Sequence, residues 1–178
     1  VQTRAPLEEP SELIDTGNMV PNLSAHYLTR YTDHESGKTA FFLARYQSST
    51  PGKRIIFPLS WDGNAFQRKI WKFYKKRPML PLAFDTGPII IVEGEKCYHE
   101  ATSYFERAGK KCSVTTRHGG AGVTGMVILP PGIENPDRVK ILWPDNDTVG
   151  IDAMDNIARR NGDDSTFILR PPAGVEQG

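Results

Sequence analysis

Ile89-Ile90-Ile91-Val92-Glu93-Gly94-Glu95-Lys96 is an apolar run that ends in two acids around a glycine and passes straight into an amphipathic pattern. Read by periodicity it is a buried strand followed by a helix. The same order returns at Val139-Lys140-Ile141-Leu142-Trp143, which ends in Pro144-Asp145-Asn146-Asp147 and leads into a helix near Gly150. Both strands deliver carboxylates at their C-terminal ends. In an open parallel sheet that edge is where ligands bind.

Working outward, the spacing predicts a helix over 96–108, with Tyr98, Ala101, Phe105 and Ala108 on one face and Gly109 as its cap. A strand follows over 111–116, then the flexible loop Arg117-His118-Gly119-Gly120-Ala121-Gly122 and an irregular stretch to Pro131. The helix from Gly150 to Arg160 carries Ile151, Met154, Ile157 and Ala158 on one face, and a last strand runs from Ser165 to Leu169. Strand–helix alternation of this kind predicts an α/β domain whose parallel sheet is covered on both faces.

Upstream the texture is that of short strands. His26 to Tyr31 and Thr39 to Tyr46 flank the turn Asp33-His34-Glu35-Ser36-Gly37-Lys38, a hairpin. Arg54 to Leu59 predicts a third strand and Ala65 to Trp71 a fourth, around the turn Asp62-Gly63-Asn64. The expected division is an extended arm or linker over 1–24, a basic β-rich lobe over 25–86, the α/β domain over 87–172 and the start of a truncated linker over 173–178. The chain reads as a fragment of a longer protein.

Lys53, Arg54, Arg68, Lys69, Lys72, Lys75, Lys76 and Arg77 crowd one segment in which Asp62 is the only acid. Such a cluster repels itself without a polyanion, so nucleic acid is the expected partner. The interleaved Phe57, Trp61, Phe66, Trp71, Phe73 and Tyr74 are suited to stacking on unpaired bases, but strand alternation turns half of them inward, and packing is the favoured reading. The chain as a whole is near neutral, with 22 Lys+Arg against 21 Asp+Glu in 178 residues, so only this local clustering bears on partners. No apolar run is long enough to span a bilayer. Cys97 and Cys112 lack metal-ligand spacing and read as reduced core residues, with no zinc site expected.

Glu93, Asp145 and Asp147 together suit Mg²⁺ or Mn²⁺, which take hard oxygen ligands from protein, water and phosphate. Taken alone, Pro-Asp-Asn-Asp is better explained as a turn and a helix N-cap. Its pairing with Glu93-Gly94, each after an apolar strand and before a helix, is what favours a metal site. Lys96 is a secondary candidate. Arg117 and His118, beside the glycines, are open between phosphate contact and ordinary loop residues; the loop lacks the Gly-Lys-Ser/Thr ending of a nucleoside-triphosphatase.

Val92-Glu93-Gly94-Glu95-Lys96 and Pro144-Asp145-Asn146-Asp147, with Gly150 and Ala153, resemble the Toprim domain, most closely the primases and primase–helicases of phages and plasmids. Arg54-Ile55-Ile56-Phe57-Pro58-Leu59 resembles a run in the N-terminal lobe of bacterial replicative primases, and Lys72-Phe73 is similar to that family's Lys-Tyr pair. The resemblance spans about residues 27–169. It implies a Toprim α/β fold behind a basic β-rich lobe and Mg²⁺-dependent synthesis of RNA primers on a single-stranded DNA template from nucleoside triphosphates. Glu93, Asp145 and Asp147 would be the catalytic and metal-binding acids. Arg54, Arg68, Lys69, Lys72, Lys75, Lys76, Lys96, Arg117 and His118 would meet nucleic acid or nucleotide. A helicase domain in the same or another chain, and the cytoplasm of a bacterial host cell, are the implied partner and location. The upstream zinc domain usual in such primases is not in this sequence, and Leu169-Arg170-Pro171-Pro172 offers no further acid directly after the last strand. A Toprim nuclease and a non-catalytic nucleic-acid-binding module are the alternatives.

Overall fold

The computed structural model describes residues 25–47, 54–61, 66–67, 77–118, 127–161 and 163–170. The chain divides into two compact units, Val1–Lys75 and Lys76–Gly178.

The first unit is a four-stranded antiparallel sheet in the order β1-β2-β3-β4, with β1 Ala25–Thr32, β2 Thr39–Gln47, β3 Arg54–Trp61 and β4 Phe66–Gln67. The β1–β2 turn closes on itself. Ser36 Oγ donates to Asp33 Oδ2 at 2.6 Å and the Gly37 N–H donates to the Asp33 carbonyl at 2.8 Å. Inner strand β2 is buried from Ala40 to Ala44, and Tyr31 stacks on Phe41 with ring centroids 4.6 Å apart. The hairpin and third strand stand where periodicity puts them. Of the fourth strand only Phe66–Gln67 is described; the 62–64 turn and the arm over 1–24 lie outside the described residues.

The second unit holds a parallel sheet in the order β10-β9-β6-β7, built from β6 Ile89–Val92, β7 Ser113–Thr116, β9 Lys140–Trp143 and β10 Thr166–Ile168. Helix α1, Glu95–Arg107, packs Tyr98, Ala101 and Phe105 against Ile90, Val92, Cys112 and Val114. Helix α2, Thr148–Asn161, places Met154, Ile157 and Ala158 with Ile89, Ile91 and Leu142. Alternate residues of β6 thus serve opposite cores, which is why this strand is apolar throughout. The fold class is the α/β arrangement expected. Gly109 ends α1 at φ 63°; its N–H donates to the Glu106 carbonyl and that of Lys110 to the Phe105 carbonyl, a Schellman closure.

The boundary falls earlier than the expected 86/87. Residues 77–80 belong to the α/β unit, because β5 (Arg77–Pro78) pairs in parallel with β8 (Val127–Ile128) and the Leu80 N–H donates to the Thr116 carbonyl at 3.0 Å. Val127–Ile128, expected to be irregular, is thereby a short strand. Prolines at 78 and 81 mask that pairing in sequence, since proline ordinarily marks a linker.

Candidate active site

The order of the sheet locates the site. The connection from β6 leads to β7 on one side, whereas β9 lies on the other side and leads on to β10. The chain therefore reverses direction between β6 and β9, the switch point at which an open parallel sheet opens a crevice beyond its strand ends. Glu93 follows β6 there and Asp145 follows β9.

Glu93 is half-buried, and its Oε2 accepts the Asp145 backbone N–H at 3.2 Å. Burial pushes its carboxyl above the usual 4.5; the Asp145 N–H draws it down, the charges of Asp145 and Asp147 raise it again, and Arg117 lowers it. One glutamate thus sits in the field of both aspartates and an arginine. Asp145 is exposed, with Cys97 Sγ 3.7 Å from its Oδ1. Burial first, and then Asp145, raise the Cys97 pKa and keep a thiol rather than a thiolate beside the acid. Asp147 caps α2: its Oδ1 accepts the Gly150 N–H at 2.7 Å, and its carbonyl accepts that of Ile151 at 3.1 Å. The turn-and-cap reading of this aspartate is therefore realised, and one of its oxygens is committed to it.

Gly150 is packed into the same junction. A Cβ there would run into Glu93 Oε2 and lie 3.0 Å and 3.1 Å from the Asp145 carbonyl oxygen and nitrogen. No substituent fits without moving the acids.

Arg117 corrects an expectation. Far from belonging to an open loop, it is 2% exposed and bridges Met79 in antiparallel fashion at the end of β7. None of its three side-chain nitrogens has a hydrogen-bond partner among the described residues. Burial lowers its pKa and the Glu93 carboxylate raises it. A buried guanidinium without acceptors is costly, so such a group calls for a ligand or counter-ion. His118 is half-buried, its Nδ1 3.5 Å from Glu95 Oε1, and Lys96 is exposed in the first turn of α1.

The donor chemistry fits a hard divalent cation, since three carboxylates share one field and the nearby thiol stays protonated. Among the described residues, however, no three His, Cys, Asp or Glu side chains converge as ligands. Oxygens of the acids are turned instead to the Asp145 N–H, the Cys97 thiol and the Gly150 N–H. The Arg54 side chain, Arg68, Lys69, Lys72, Lys75, Lys76 and the loop glycines 119–122 lie outside the described residues. No described helix is long and apolar enough to cross a membrane.

Sequence reading missed Gly150 as a constraint and Cys97 as a neighbour of Asp145. The first had a signal in its place three residues after Asp147; the second, a helix residue far along the chain from Asp145, had none.

No protein-family profile matches the chain, and no curated protein matches it. Among solved structures it is similar to a chain in a bacteriophage T7 assembly, a lagging-strand DNA polymerase interacting with primase domains of two gp4 subunits bound to an RNA/DNA hybrid and dTTP. That similarity has 15% identity and a TM-score of 0.44, over 84% of this chain and 67% of the other.

Proposed function

We propose that residues 76–170 form a Toprim domain and that the chain is the catalytic core of a DNA primase, making RNA primers on single-stranded DNA with Mg²⁺ or Mn²⁺. The observation that carries this is the meeting of Glu93 with Asp145 and Asp147 where the sheet reverses between β6 and β9. In this reading Asp145 and Asp147 hold the cation, Asp147 through the oxygen its cap leaves over. Glu93, with its raised pKa, is a third ligand or the group that takes a proton from the attacking hydroxyl. A cation held there would supply charge neutralisation for the triphosphate and a lower pKa for that hydroxyl. Arg117, buried at the end of β7, adds a positive charge beside Glu93 and so favours an anionic ligand at the same place. Lys96 and His118 add donors from α1 and from the end of β7. Arg54 and the basic segment around 68–76 track the template phosphates. A helicase domain, in this or another chain, is the partner such a primase serves.

One observation favours a second reading, a nucleic-acid-binding module without catalysis. Asp147 already serves as a helix cap, and among the described residues no three ligands converge. A nuclease built on the same acids is the remaining alternative. Primer synthesis on single-stranded DNA with four nucleoside triphosphates and Mg²⁺ tests the proposal. Product from the wild type should fall by roughly a hundredfold or more in Glu93→Gln and Asp145→Asn/Asp147→Asn. Cleavage of DNA without nucleotides points to the nuclease, and DNA binding with no turnover to the module.

A further inference from the structure

A pocket of about 420 Å³ runs along α1 beside the acids, with Lys96, Tyr104 and Phe105 on the helix and Val92, Trp143 and Asp145 on the sheet side. Its place follows from register. Val92 pairs with Trp143, and Val92 lies beneath α1, so the indole falls at the margin of the area that helix covers. Trp143 is left 46% exposed and Tyr104 61%, two large rings at one concavity. Trp143 stands two residues before Asp145, and Asp145 belongs both to the pocket and to the acid junction.

The volume lies in the range of small-ligand sites, and the lining is mostly apolar with three charged groups, Lys96, Glu100 and Asp145, as such sites require. A flat heterocycle is the chemistry an exposed indole accepts by stacking. Lys96, the cation of this lining beside the acids Glu100 and Asp145, suits a ligand that carries metal-bound phosphate at one end. We infer that this pocket is the nucleobase subsite of the nucleotide whose phosphates face Asp145, with Trp143 as the stacking platform. The inference rests on the proposed nucleotide chemistry and adds a specificity element to it. Neither the acids nor the basic segment supplies one, because both meet only phosphate and metal.

Binding of three probes to the full chain separates the terms: ATP with Mg²⁺, inorganic triphosphate with Mg²⁺, and adenosine alone. Trp143→Ala should weaken ATP about tenfold, in line with the loss of one base–aromatic stack, and leave inorganic triphosphate unchanged. Trp143→Phe should recover most of the ATP affinity. Adenosine should give intermolecular NOEs from its base protons to the Trp143 ring, with or without metal. Those NOEs should survive in Asp145→Asn/Asp147→Asn, a variant expected to lose the inorganic triphosphate arm. Equal losses of ATP and inorganic triphosphate in Trp143→Ala, or no loss of either, would overturn the subsite, as would adenosine NOEs to other residues only. Failure of the metal reading shows up separately, as no triphosphate binding by the wild type while the adenosine arm still decides the pocket.

Discussion

Gly150 is the tightest residue of the site. Alanine is the better helix former by about 1 kcal/mol, so Gly150→Ala ought to stabilise α2 on propensity alone. Here its Cβ meets the Glu93 carboxylate and the Asp145 backbone, and the overpacking cost wins. The variant is expected to lose roughly 1–3 kcal/mol in urea unfolding and to weaken metal binding. Gly94→Ala, with nothing near its Cβ, meets no such steric obstacle. Arg117 gives the opposite trade. Its buried guanidinium has no acceptor among the described residues, so Arg117→Met should leave stability unchanged or raise it by about 1–4 kcal/mol while weakening triphosphate binding through the loss of its charge. A severe loss of stability would mean that the arginine is structural. Glu93 sets a pH slope. Its pKa is raised, so the folded chain binds this proton more tightly than the unfolded chain. The resulting stabilisation is full below 4.5 and is lost as pH rises through the folded value. Urea midpoints from pH 4 to pH 8 should show that decline in the wild type and lose it in Glu93→Gln.

Helix α2 carries two demands on one side chain, and its variants can divide them. Asparagine caps a helix about as well as aspartate, whereas alanine loses about 1 kcal/mol. Asp147→Asn should therefore keep the stability of the wild type but bind metal more weakly, and Asp147→Ala should lose both. Equal metal binding by all three proteins would leave Asp147 a cap alone. At the opposite end of the sheet, buried Lys140 ties β9 to the start of β10 through Asp163 Oδ2 at 2.7 Å and Ser165 Oγ at 2.9 Å. That contact holds the exposed Asp163 carboxyl well below its usual 3.8, with the Ser165 hydroxyl adding to it. A depressed acid stabilises above its unfolded pKa and loses that stabilisation as pH falls. Asp163→Asn should flatten the acid limb of stability below pH 3.8. At this scale much was legible. The 89–92 run, the α1 face with its Gly109 stop and the hairpin around Asp33–Lys38 are local patterns, and local patterns survive in sequence. The burial of Arg117 and the pairing of Arg77–Pro78 with Val127–Ile128 were not legible, because both depend on segments distant in the chain.

Over the whole molecule, the acids, Arg117 and the Trp143 pocket all lie within Lys76–Gly178, which owns both cores around the parallel sheet. A fragment of residues 76–178 should accordingly unfold cooperatively and keep the metal affinity of the full chain, while single-stranded DNA binding should fall with loss of the basic segment before it. The meeting of the two acidic turns was legible, because each follows an apolar strand and parallel strands expose their C-terminal ends together. The rotamers were not, since the Asp145 N–H, the Cys97 thiol and the Gly150 N–H compete for the carboxylates only once the chain is folded. Whether these acids share a divalent cation is read from Mn²⁺ titration of the full chain, followed as paramagnetic broadening of backbone amide signals. Saturable broadening centred on Gly94, Asp145 and Gly150, abolished in Asp145→Asn/Asp147→Asn, is the predicted result. Identical broadening in the two proteins, or none near these residues, would contradict it.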